Sequence, residues 1–184
     1  MKALAILLAA ALAGPAQADG ASFTFAWQGA GGYAMTGAMS FDPALIGRRM
    51  VREQDVSCFV IEGTKDGIPI GRWMLGMLGP DTSWRLFFDP VASAFVVEGH
   101  GVRMPQAWNM NGAGDDCGIG GFGFNLGNLG QDFCLDNRTV VASRIAPEIP
   151  FPATRDNGYV FPRGACTGPD LLSLGPSDPA LPGG

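Results

Sequence analysis

The sequence predicts an all-β fold, a single antiparallel β-sandwich or flattened barrel with a Gly/Asn/Asp-rich loop region and two disulfides. Three observations predict it. Large apolar residues alternate with small or polar ones along residues 23–41. Short β-branched and aromatic runs recur downstream, each closed by a turn residue. No stretch of the 184-residue chain carries helical periodicity for more than two turns.

The chain starts with Lys2, an apolar run over residues 3–13, and Pro15 before Ala16-Gln17-Ala18. A positive start, a short apolar run and an A-x-A end are the parts of a secretory signal peptide, with cleavage expected after Ala18. The apolar run is too short for a permanent membrane helix, and no later run reaches the roughly 18 to 20 apolar residues such a helix needs. The expected organisation is a signal peptide at 1–18, a β-rich domain at 19–166 and a flexible Pro/Gly-rich tail at 167–184. Export to the periplasm or the outside of a bacterium follows from that reading. A formal net charge of −5 without a basic block argues against nucleic acid as a partner.

Phe23, Phe25 and Trp27 alternate with Thr24 and Ala26, which places three large rings on one face of a strand. Gly29-Ala30-Gly31-Gly32 supplies a tight connection, and Tyr33, Met35, Gly37, Met39 and Phe41 repeat the alternation on the way back. Asp42-Pro43 ends the second strand, and residues 43–55 read as a loop or a helix of one or two turns.

Residues 57–99 hold one heptapeptide pattern twice, Ser57-Cys58-Phe59-Val60-Ile61-Glu62-Gly63 and Ser93-Ala94-Phe95-Val96-Val97-Glu98-Gly99. With the runs at 68–75 and 84–88 between them, the block reads as a four-stranded antiparallel meander. Phe-Asp-Pro also occurs twice, at 41–43 and 88–90, where Asp-Pro is ordinary turn chemistry. The two spacings differ, so the chain is not a repeat protein. Beyond Gly99 the texture becomes rich in Gly, Asn and Asp, with strands expected at 122–126, 139–143 and 159–161.

Cys58, Cys117, Cys134 and Cys166 form an even set, which in an oxidising compartment reads as two disulfides. Cys117 and Cys134 flank one glycine-rich loop and are paired on that ground, leaving Cys58 with Cys166. The chain has no C-x-x-C, and its single histidine, His100, has no zinc-ligand spacing to a cysteine.

The hairpin at 23–41, the Asp55-Val56-Ser57-Cys58-Phe59 turn-into-strand and the Asn111-Gly112-Ala113-Gly114 loop resemble uncharacterised exported β-rich bacterial proteins of the PEP-CTERM-associated kind. The resemblance covers roughly residues 23–130 and implies an exported β domain, with no chemistry to carry over. The chain departs from those proteins at its end, which has no Pro-Glu-Pro, no apolar anchor and no terminal arginines.

Candidate chemistry is sparse. Gly118-Ile119-Gly120-Gly121-Phe122-Gly123 fits G-x-G-x-x-G, but a dinucleotide loop needs a strand before it and a helix after it, and neither is expected here. Asp115, Asp116, Asp132 and Asp136, among neighbouring asparagines, are oxygen ligands of the kind calcium takes, so calcium is the one cofactor considered; loops are also simply made of these residues. His100 lies in a Gly-His-Gly turn without a nucleophile elbow. Glu62 and Glu98 end the two heptapeptides and would face one cleft if those strands were neighbours. Trp108 and Asn109 lie in a loop context, where an exposed ring stacks on a sugar or a protein and a buried one covers the end of a sheet. The function expected from the sequence is an exported non-catalytic envelope or extracellular β-domain acting through binding or assembly, with a glycan or an envelope protein as partner. The alternative is a glycan- or ester-cleaving enzyme using carboxylates of the 101–136 loop region.

Overall fold

A computed structural model describes residues 20–167. The expected signal peptide, and the expected tail beyond Thr167, lie outside the described residues. The fold is all-β, two antiparallel sheets enclosing one aromatic core. The strands are β1 (Ala21–Gln28), β2 (Tyr33–Phe41), β3 (Val51–Arg52), β4 (Val56–Lys65), β5 (Ile68–Met74), β6 (Trp84–Arg85), β7 (Phe87–Asp89), β8 (Ala94–Phe95), β9 (Gln106–Trp108), β10 (Phe122–Gly127), β11 (Gly130–Leu135), β12 (Arg138–Ile145) and β13 (Phe151–Arg155). The larger, curled sheet has the order β3-β7-β8-β13-β1-β2-β4-β5, and the smaller one β12-β11-β10-β9-β6. Among the described residues no helix is long and apolar enough to cross a membrane.

The β1–β2 hairpin forms as its alternation predicts, with Phe23 opposite Met39 and Trp27 opposite Met35. Gly31 and Gly32 take φ of 61° and 79° in its turn, values that side-chain-bearing residues rarely adopt. Its inward rings meet those of the smaller sheet. Trp27 lies 5.2 Å from Phe124 and 4.8 Å from Phe133 between ring centroids. Edge-to-face and tilted rings fill the space between the sheets, and such pairs add about 0.5–1.5 kcal/mol each beyond their area burial.

Both disulfides, Cys58–Cys166 and Cys117–Cys134, join the pairs expected from the sequence. The Phe-Asp-Pro copies are turn chemistry: Asp42 accepts from the Ala44 amide at 2.8 Å, and Asp89 from those of Val91 and Ala92 at 2.9 and 3.0 Å.

The four-stranded meander does not form. After the β4–β5 hairpin, a 3-10 turn at Leu75–Met77 carries the chain into the smaller sheet, where β6 pairs with β9. The chain then returns to the far end of the larger sheet as the β7–β8 hairpin. Only Ala94 and Phe95 of the second heptapeptide are strand, because the buried side chain of Gln106 takes a strand partner's place. Its Nε2 donates to the carbonyls of Phe87 and Val96 at 2.8 and 2.9 Å. Residues 159–161, expected as a strand, instead belong to a segment that crosses the outer face of the larger sheet. Strands β3, β9, β11 and β13 were not anticipated.

Candidate functional site

The outer face of the larger sheet carries the polar phase of its strands. Register aligns Ala26 of β1 with Thr36 of β2, Thr36 with Glu62 of β4, and Glu62 with Arg72 of β5. On the other side, Thr24 lies opposite Thr154 of β13. A hydroxyl, a carboxylate and a guanidinium therefore stand in one row across the sheet, and Glu62 and Arg72 form an ion pair.

Part of this face is closed by the segment at 156–167, which runs over Ala38, Cys58 and Val60. Phe161 and Ala165 are buried against those three residues. The Phe59 amide donates to Ala165 O at 2.7 Å and the Gly76 amide to Gly164 O at 2.8 Å, so the strap is held by backbone bonds as well as by Cys58–Cys166. Near its start stands Tyr159, its ring edge-on to Phe161 at 4.9 Å. Between Tyr159 and the uncovered strands lies a groove of about 330 Å³ lined by Thr24, Ala26, Thr36, Glu62, Thr154 and Tyr159.

The groove's electrostatics suit hydrogen bonding to neutral polar groups. Burial, and then the negative charge of Glu62, push the Tyr159 phenol above its ordinary value, so it stays a hydrogen-bond donor through neutral pH. Glu62 is an acceptor in an ion pair with Arg72, which presents a planar fork of donors. Thr36 and Thr154 are exposed and Thr24 half-buried, offering hydroxyls that donate and accept.

Compared with known proteins, the chain matches no family model, no curated protein and no solved structure. The reading of the site therefore rests on its geometry.

The residues singled out from the sequence lie elsewhere and do other work. Trp108 is fully buried, with Phe59, Phe124 and Phe95 at 4.9, 5.0 and 5.1 Å from its ring, so it cannot stack on a ligand. It points inward because Trp108 pairs with Phe124 of β10 in the core-facing phase. Asn109 is buried as well, and its Nδ2 donates to the carbonyls of Cys117 and Phe122 at 3.2 and 2.8 Å.

The four aspartates expected as calcium ligands do not gather. Asp116 accepts from the amides of Asn111 and Ser83, each at 2.9 Å, and Asp115 bonds Asn111 Nδ2. Asp136 accepts from the Gly120 amide at 2.8 Å. Asp132 is buried and accepts from Arg144 Nε at 2.6 Å. Among the described residues no three His, Cys, Asp or Glu side chains are grouped to hold a metal. Asp116 and Asp136 shape the loop by capping backbone amides, the ordinary use of Asp in turns, whereas Asp115 and Asp132 bond side chains.

The G-x-G-x-x-G run is a turn followed by strand β10, and the Gly121 amide bonds Gly118 O within it. Glu62 and Glu98 do not share a cleft: β13, β1 and β2 lie between β4 and β8, and Glu98 accepts from the Met104 amide at 2.7 Å. Tyr159, Arg72 and the three threonines were missed as site residues. The outward phase of strands β1, β2 and β4 was visible in the sequence; the strap that frames it was not.

Proposed function

We propose that the protein is an exported, non-catalytic β-domain that binds a glycan in the groove on the outer face of its larger sheet. The observation that carries this reading is the placement of Tyr159 beside a floor of threonines and Glu62, which Arg72, outside the lining, holds in an ion pair. A sugar ring has one apolar face and a rim of hydroxyls. An aromatic side chain covers the first, while carboxylate, guanidinium and hydroxyl groups bond the second. Pockets that recognise small ligands combine a mostly apolar surface with a few placed polar groups in this way. Two disulfides fit an oxidising compartment, which supports export and a partner outside the cytoplasm.

The test is calorimetric titration of the purified protein with soluble polysaccharides of the bacterial surface, alongside Tyr159→Ala and Arg72→Ala. Each substitution is expected to weaken binding at least roughly tenfold, the equivalent of about 1.4 kcal/mol. Val141, exposed on β12 of the other sheet, is the control, and Val141→Ala should bind as the parent does. Binding that survives both groove substitutions, or a protein that takes up none of these glycans, overturns the proposal.

A further inference from the structure

A second cavity, of about 350 Å³, opens at the other end of the larger sheet and shares no residue with the groove. The buried Phe95, Val97 and Phe151 form its back, Met50, Ala92 and Pro150 are its exposed apolar residues, and its titratable groups are Asp89, His100 and Glu148. The cavity falls in the size range of small-molecule sites, about 300–1,000 Å³.

Its rims are held in place before any ligand arrives. On one side, Asp89 Oδ1 accepts from the Val91 and Ala92 amides, which fixes the β7–β8 turn. On the other, the buried Gln131 donates through Nε2 to the carbonyls of Ile149 and Ala146, at 2.7 and 3.3 Å, and so anchors the turn that carries Glu148. The Glu98 amide bonds Pro147 O at 3.2 Å and joins the segment before His100 to that same turn. Gly99 and Gly101 flank His100 at φ of 90° and 79°, conformations that keep this position on a tight turn.

The lining carries two carboxylates and, besides the imidazole of His100, no basic side chain. Neither Asp89 nor Glu148 takes part in any ion pair among the described residues. The nearest basic residue in the chain to the lining Met50 is Arg49, whose guanidinium is turned to Asp55 through bonds of 2.6 and 2.7 Å. Two carboxylates engaged in no ion pair, bordering a cavity with an apolar lining, favour a ligand that brings a positive charge and an apolar body.

We propose that this cavity binds a small organic cation, its apolar body against the exposed Met50, Ala92 and Pro150 and its ammonium head at Asp89 and Glu148. Complementary charge selects the head, and the buried apolar area supplies the affinity.

The experiment compares three probes with one aromatic body: phenethylammonium, 2-phenylethanol and 3-phenylpropionate, each titrated into the purified protein at pH 7 and followed by NMR. Phenethylammonium should shift the Ala92 and Ala94 methyl signals and bind roughly tenfold tighter than the alcohol, with the propionate weakest. Glu148→Gln, at an exposed position where the fold is undisturbed, and Asp89→Asn, which keeps an acceptor for the turn, should together reduce phenethylammonium to the affinity of the alcohol. Equal affinities for cation and alcohol would overturn the proposal, as would shifts scattered over the acidic surface or no shift at Ala92 and Ala94 with any probe. Failure here would leave the glycan groove untouched, and failure of the groove would leave this cavity untouched.

Discussion

Asp132 shows how far one side chain's surroundings can reverse its usual behaviour. It is buried in the smaller sheet, and Arg144 Nε donates to it at 2.6 Å. Burial pushes its carboxyl above the ordinary carboxylate value, and Arg144, with a smaller contribution from Asn125, pulls it back only in part. A folded-state value raised above the unfolded one, which is about 3.9, gives stability that is present below that pH and lost as pH rises through the raised value. Asp132→Asn cannot ionise and escapes that loss. Urea midpoints of parent and variant between pH 3 and pH 7 should therefore move in the variant's favour as pH rises. A shift in the parent's favour would mean that Arg144, and not burial, controls the site. None of this was legible beforehand: Asp132 reads as a loop carboxylate, and only the strand pairing of Asn125 with Asp132, under the loop that covers this face, makes it a core residue.

At the scale of elements, the two sheets meet through notches as much as through rings. Gly63 of β4 and Gly71 of β5 face each other, and a Cβ on either would run into the Phe122 ring of the smaller sheet. Gly71→Ala should overpack this contact and cost about 1–3 kcal/mol, read as a lowered thermal midpoint. Gly79→Ala, with nothing within 4 Å of its would-be Cβ, should stay within about 0.5 kcal/mol of the parent. Equal effects would show that backbone freedom, and not the Phe122 contact, explains Gly71. The same contrast explains which strands the sequence displayed. Strands β1 and β2 alternate because their sheet has a covered face and a largely open one. Strand β11 is almost wholly buried, so Gln131 and Asp132 interrupt any apolar phase and the segment reads as loop. Strand β13 carries Pro152, tolerated because the amide facing β8 is that of Ala153, bonded to Ser93 O, and the pairing with β1 on the other side begins only at Ala153. The second heptapeptide failed as a strand for a reason absent from its own residues, since the group that replaces its partner is Gln106 from the other sheet.

For the whole molecule, the two disulfides divide the labour of closing a sandwich with no long helix among the described residues. Cys117–Cys134 joins residues 17 apart and fastens a loop to the outer face of the smaller sheet, whereas Cys58–Cys166 spans 108 residues and fastens the strap that frames the groove. Both pairings were legible from the spacing of an even set of cysteines and the expectation of an oxidising compartment. The groove was not, because its walls come from opposite ends of the chain and only the closed fold sets Tyr159 beside Glu62. Loop-closure entropy makes the longer crosslink worth about 1.5 kcal/mol more than the shorter one. Cys58→Ala/Cys166→Ala should thus lower stability more than Cys117→Ala/Cys134→Ala. Its distinctive effect is local. The Phe59 amide, bonded to Ala165 O, and the Thr167 amide, bonded to Ser57 O at 2.8 Å, should exchange with solvent much faster, while amides in the β10–β11 hairpin keep their protection. The glycan binding proposed for the groove should fall in parallel with that loss of strap protection, because Tyr159 rides on the same segment. Uniformly faster exchange would make the crosslink a brace for the entire fold, and intact glycan binding with a released strap would separate Tyr159 from the groove's function.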